Sequence, residues 1–398
     1  MDFSMQRRAG AVIAQGALTN SKRPESHIKG VYPTHLVDGH GCRVLACNGK
    51  TYTDYICGLG ANLLGYGYEP IAKTIREAAG EPFAMSLGTP KEVQAAEKLI
   101  EFFPFIDQVK FLKTGTEACA AAVRIARTAT GRSKVLSSGY HGWSDGFVSL
   151  TPPAFGTVPC HFEQFTDLAQ IDSDTACVIV EPIITKVDQD RINWLQELRK
   201  ACTKHGALLI FDEVITGFRF ESHGVSNAYG IIPDLICLGK TIGGGLPLAA
   251  VGGKRELMDD SRYFVSSTFA GDRLALSASL SFMESMQKHR INEAIQSTGA
   301  VFKQKFNAIS PSVQIEGYNT RGVFVGDPLK KALFFQEACK AGILFGPTWF
   351  WCLPHAEHTD ITISACRHIL GKIDRGEVAL EGEMPSSPFA QKVREQGR

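Results

Sequence analysis

Asp234-Leu-Ile-Cys-Leu-Gly-Lys240-Thr-Ile-Gly-Gly-Gly-Leu-Pro247 places one lysine at the end of a short apolar run, Leu235 to Leu238, and follows it with three successive glycines and a proline. A run this apolar reads as a strand buried on both faces, as in a parallel sheet covered by helices. Such sheets bind ligands in the crevice beyond the carboxyl ends of their strands, where Lys240 would stand. A lysine amine there can form a Schiff base with a carbonyl compound. Gly239-Lys240-Thr241 also looks like the close of a phosphate-cradling GxxxxGK[ST] loop, but the first glycine of that motif falls on Asp234 and excludes a nucleotide triphosphatase. Taken alone, a solvated lysine after a strand is the better reading of Lys240.

The segment Phe211-Asp212-Glu213-Val214-Ile215-Thr216-Gly217-Phe218-Arg219 changes that balance. Ala207 to Phe211 reads as a buried strand ending in an acid, and side chains two apart on a strand share a face. Asp212 and Val214 therefore point one way and Glu213 another. A carboxylate and a branched apolar residue projecting together suit a flat heteroaromatic ring, the acid pairing with a ring nitrogen and the valine packing on a ring face.

These two segments together resemble the class III, fold-type I aminotransferases that use pyridoxal phosphate, most closely their glutamate-1-semialdehyde aminomutase-like branch. The resemblance runs from about Gly30 to about Arg367 and is strongest between Lys113 and Gly253. It implies an α/β fold of the fold-type I kind: a large domain with a mostly parallel, doubly wound sheet and a smaller α+β domain. It implies that Lys240 carries the cofactor, that Asp212 holds the pyridine nitrogen, and that two chains form a homodimer with shared active sites. We place an N-terminal arm and a small antiparallel meander in residues 1–56, a large cofactor domain in 57–285 and a small domain in 286–398.

Composition narrows the partners. A formal net charge of +1 over 398 residues provides no electrostatic reason to expect nucleic acid or an anionic membrane surface. The hydrophobic content of 44% suits a soluble protein, and no apolar run approaches the roughly 20 residues of a membrane span. The stretch Ala9 to Ala14 is too short and polar-interrupted for a signal peptide and reads as a short amphipathic helix. Eleven scattered cysteines with no CxxC pair read as buried free thiols in a reducing cytoplasm, without a zinc site or a bridge.

Taken in order, the chain supplies further candidates. In the arm, Lys22 or Arg23 could meet a substrate carboxylate, as the resemblance implies, although a solvated basic loop fits equally well; Arg23 is the candidate retained. Asp38-Gly39 and Asn48-Gly49 mark turns of the meander. After the strand Gln108 to Leu112, Thr114 and Glu117 have the spacing of a capping box, which puts Gly115 and Thr116 in the first turn of an alanine-rich helix. Free amides, a hydroxyl and the positive helix end suit a phosphate there, and although a mere helix cap is the better reading in isolation, the resemblance implies the phosphate site. The resemblance implies Tyr140 as an aromatic stacked on the cofactor, Glu181 near cofactor or substrate, and Thr268 as a threonine reaching the partner chain's cofactor phosphate. It assigns no role to His141, His355 or His358.

Three functional readings stay open. The first is an aminotransferase that moves an amino group between a small-molecule amine donor and an aldehyde or ketone acceptor, with sugar-derived carbonyls among the candidates. The second is a 2,1-aminomutase acting on glutamate 1-semialdehyde. The stretch from Asp145 to Phe165 disfavours it, because the resemblance implies a longer lid in true aminomutases, which must retain an intermediate through two half-reactions. The third is a non-catalytic protein on the same fold, disfavoured by an intact Lys240 and Asp212.

Overall fold

The computed structural model describes residues 4–151, 154, 156–158 and 160–386. The first and last residues of the chain and part of the stretch from Asp145 to Phe165 lie outside the described residues. The chain divides into two units. One joins the residues up to Tyr68 with those from Glu293 onward, and the other comprises Glu69–Asn292.

The first unit opens with a helix, Ser4–Val12, five residues nearer the N-terminus than the apolar run at Ala9 suggests. Strands β1 (Leu36–His40), β2 (Arg43–Ala46) and β3 (Thr51–Asp54) form the meander. Asn48-Gly49 makes the β2–β3 turn, with Gly49 at φ 77°. Asp38-Gly39 does not make a turn. It lies within β1 beside a bulge, and the reversal falls instead on Gly41, at φ 59°, where glycine adopts a left-handed conformation without a Cβ clash.

The second unit holds the sheet that organises the chain. Its strands are β4 (Gln108–Leu112), β5 (Lys134–Ser138), β6 (Phe162–Gln164), β7 (Thr175–Val180), β8 (Leu208–Asp212), β9 (Leu235–Leu238) and β10 (Ala249–Gly253), in the spatial order β4-β10-β9-β8-β7-β5-β6. Strands β5 to β9 run parallel, and β10 runs antiparallel to both β4 and β9. All residues of β7 and β9 are buried, as their uninterrupted apolar runs require. The helix Gly115–Thr130 presses its alanines and Cys119 against Ile179, Ile210, Leu235 and Cys237. The helix Gln189–His205 starts three residues before the apolar periodicity begins at Ile192, because Asp188 caps it by accepting from the Arg191 amide at 2.9 Å.

The chain then returns to the first unit. Strands β11 (Val313–Tyr318), β12 (Arg321–Gly326) and β14 (Thr348–Phe350) form an antiparallel sheet, and β13 (Ile343–Leu344) joins the meander by pairing parallel with β3. Its core is aromatic: Phe302, Phe306, Phe334, Phe345, Trp349 and Trp351 are all fully buried. Among the described residues no helix is long and apolar enough to cross a membrane.

Candidate active site

Strand direction collects the candidates on one edge. The parallel neighbours β9, β8, β7 and β5 end in Lys240, Asp212, Glu181 and the Tyr140-His141 pair respectively. Because β4 is antiparallel to β10, which is itself antiparallel to β9, β4 runs with the parallel set and delivers Gly115 and Thr116 to the same edge. This is the crevice beyond the carboxyl ends of an open α/β sheet.

Backbone approach there is unusually close. A Cβ built on Gly142 would collide with Cβ and Oγ1 of Thr116, one on Gly139 would come within 2.8 Å of the Glu181 carboxylate, and one on Gly115 within 3.0 Å of Val214. A Cβ on Gly239 would lie 3.2 Å from the same Val214. Val214 thus packs between the helix start and the lysine loop. The helix Gly115–Thr130 is capped as its sequence predicts: Glu117 Oε2 accepts from the amides of Lys113 (2.9 Å) and Thr114 (2.8 Å). The amides of Gly115 and Thr116, first in the helix, have no acceptor within it.

Asp212 is buried and its carboxylate is held from two sides. The Val214 amide donates to Oδ1 at 3.0 Å, and His141 Nδ1 lies 2.7 Å from Oδ2. Burial of the imidazole opposes its charge, but the bonds to Asp212 and to the Cys119 thiol outweigh it and raise the His141 pKa to about 10. Burial, then the nearby Glu181 and Asp212 charges, push the Tyr140 hydroxyl upward. The Tyr140 amide donates to Glu181 Oε2 at 3.1 Å.

Lys240 has φ 47°, a left-handed conformation that costs a non-glycine residue roughly 1–2 kcal/mol. Burial lowers its amine pKa, against the pull of the Asp212 and Glu181 carboxylates. Its amine is therefore available unprotonated nearer neutrality than a surface lysine's. Glu213 points away from this site, as strand alternation predicts, and accepts from Thr216, the Val225 amide and both donors of Ser226.

Six candidates therefore meet at one edge: Gly115, Thr116, Tyr140, Asp212, Val214 and Lys240, with Glu181 beside Tyr140. Thr268 is exposed in a turn of the same unit, before the helix Arg273–Lys288. Arg23 belongs to the first unit, between two short 3-10 turns. Sequence reading did not give His141 or Cys119 a place in the cluster. The strand order supplies it, by setting the end of β5 two strands from β8, with only β7 between them.

A profile of the aminotransferase class-III family matches residues 26–157 and 157–360 of the chain. Glutamate-1-semialdehyde 2,1-aminomutases from Syntrophomonas wolfei and Pelotomaculum thermopropionicum are 32% and 30% identical to it, covering 82% and 92% of this chain and 87% and 96% of their own. A β-phenylalanine aminotransferase from Variovorax paradoxus has a similar structure, with a TM-score of 0.81 and 28% identity over 94% of each chain. FumI protein from Sphingopyxis sp. MTA144, in a form carrying pyridoxal phosphate, shares the fold at a TM-score of 0.86 and 24% identity, over 95% of this chain and 98% of its own. The chain belongs to the class-III aminotransferase family. It is an α/β enzyme of the fold-type I kind, and pyridoxal phosphate is its cofactor.

The residues present fit that group. A capped helix start offers amides and a hydroxyl to a phosphate. The Asp212 carboxylate, with two of its roughly four lone-pair positions taken, keeps acceptor capacity for a protonated ring nitrogen. A lysine amine of lowered pKa lies within electrostatic reach of that acid.

Proposed function

We propose that the protein is a transaminase in which Lys240 and Asp212 are the catalytic residues. The observation that carries this is Lys240 itself: a lysine in strained backbone, with a depressed amine pKa, at the end of the strand next to the one that ends in Asp212. The bound cofactor supplies an aldehyde that condenses with amines and a ring that draws electrons from the adjoining carbon. Asp212 accepts the hydrogen bond of the protonated ring nitrogen. Nζ of Lys240 takes the proton from the amine-bearing carbon of the substrate and returns it later as an acid. Gly115 and Thr116 hold the phosphate, Val214 and Tyr140 pack on the ring, and Glu181 is a substrate contact.

We assign Thr268 to the phosphate of the partner chain's cofactor in a homodimer. Exposed apolar side chains in this unit support an interface there: Leu87 is 84% exposed, Phe264 76%, Trp143 75% and Phe269 60%. Eleven cysteines, none in a disulfide, support a cytoplasmic setting.

The aminomutase reading is favoured by the names of the relatives at 30–32% identity. The short stretch from Asp145 to Phe165 favours intermolecular transfer, since the product must leave. Purified holoenzyme treated with L-glutamate separates the two. Loss of the cofactor's aldehyde absorbance with release of 2-oxoglutarate supports the transaminase, whereas a change produced by 4,5-diaminovalerate and not by glutamate supports the aminomutase.

A further inference from the structure

Cys57, Cys352 and His355 lie in the first unit, and none is more than 1% exposed. One donor atom from each, two thiol sulfurs and a ring nitrogen, lies within 4.8 Å of the others. Cys352 Sγ is 3.3 Å from His355 Nδ1. That is near the separation of two ligands on a tetrahedral zinc ion, whose bonds are ~2.3 Å to sulfur and ~2.0 Å to nitrogen.

The histidine already has the tautomer a metal needs. His355 Nε2 lies 2.9 Å from the Asp54 carbonyl, which can only accept, so Nε2 carries the proton and Nδ1 is the accepting nitrogen, taken in this structure by the Cys352 amide at 3.0 Å. Metal-binding histidines are held by this kind of bond from the second ring nitrogen to a backbone carbonyl. Tyr55 stacks on the ring at 4.1 Å and 8°, which fixes its plane. Cys57 has φ 50°, and Leu59 follows at φ 60°, so this thiol is positioned by a backbone conformation that non-glycine residues rarely adopt.

We propose that Cys57, Cys352 and His355 bind one zinc ion, which ties the Cys57–Gly60 turn to the segment after β14. Binding forms two Zn–S bonds and one Zn–N bond and releases the two thiol protons. Zn²⁺ with two thiolates and a neutral imidazole carries no net charge, so the cluster is neutral before and after, and no net charge is buried. Binding displaces the Cys352 amide, which now donates to Nδ1 at 3.0 Å, and water takes the fourth position.

The test is the zinc content of the full-length holoenzyme, purified without chelator and dialysed against metal-free buffer. We expect about one zinc per chain, falling at least about tenfold in Cys57→Ser and Cys352→Ser and unchanged in Cys47→Ser, whose thiol is exposed. Cobalt(II)-substituted wild type keeps the test independent of variant folding, because two thiolate ligands produce a sulfur-to-cobalt charge-transfer band. Wild type with less than about a tenth of an equivalent of zinc overturns the proposal. So does zinc retained by both serine variants, or cobalt protein without the band.

Discussion

His141 Nδ1 lies 2.7 Å from Asp212 Oδ2 while its Nε2 lies 3.2 Å from the Ser138 carbonyl. An ionised carboxylate and a carbonyl can only accept, so both ring nitrogens donate and the ring is an imidazolium. Asp212, the residue proposed to face the cofactor's ring nitrogen, is thus one half of a buried ion pair.

This pair makes stability depend on pH. The His141 pKa is raised from 6.5 to about 10, so the folded chain keeps a proton that the unfolded chain releases between those values. The stabilisation is complete below pH 6.5 and lost as pH rises through about 10. The advantage of wild type over His141→Asn, read from denaturant midpoints, should shrink across that window. A gap that stays constant with pH would show a neutral ring.

Neighbouring acids should separate by function. Asp212→Asn removes a charge whose pairing with the ring nitrogen is worth up to about 4 kcal/mol at an effective dielectric near 20, so kcat/KM should fall by up to about 10³-fold. Glu213→Gln sets an amide against the four donors around Glu213 and should cost about 1–3 kcal/mol of stability while leaving kcat near wild type. Equal kinetic losses in the two variants would sink the assignment.

Lys240→Ala should abolish turnover, and substantial residual activity would refute its role. Lys240→Gly should also be inactive, yet about 1 kcal/mol more stable than the alanine variant, because glycine meets φ 47° without strain. Only the unprotonated amine attacks an aldehyde. Uptake of pyridoxal phosphate by cofactor-free protein, followed by absorbance, should therefore quicken with rising pH and level off below 10.5, the ordinary lysine value, since burial lowers this pKa.

Gly142→Ala drives a methyl into Thr116 from φ 104° and should weaken pyridoxal phosphate binding by about 10- to 100-fold, the effect of 1–3 kcal/mol of overpacking. Gly131→Ala, at φ 67° with nothing within 4 Å of the new methyl, provides the control. It should lose about 1 kcal/mol of stability and bind cofactor normally. Fluorescence titration measures both affinities.

Strand ends were legible in the sequence because a buried parallel strand is an unbroken apolar run. Leu235 to Leu238 locates Lys240, and Leu208 to Phe211 locates Asp212. Contacts that cross between elements were not. His141 reaches Asp212 past the end of β7, and Lys113 Nζ meets Asp272 at 3.0 Å across 159 positions; no local period records either. Asp272 also caps its own helix through the Leu274 amide. Left-handed backbone at Cys57 and Lys240 was equally hidden, because local propensity assigns such positions to glycine.

The loop bearing Lys240 leaves β9 and comes straight back as β10, its antiparallel neighbour, so both of its ends are anchored in adjacent strands. Segments at the rim can lengthen, shorten or change residue without moving that anchorage. Chemistry and selectivity are therefore separable in this architecture: redesign of the rim should redirect which amines are accepted while the reacting nitrogen keeps its place.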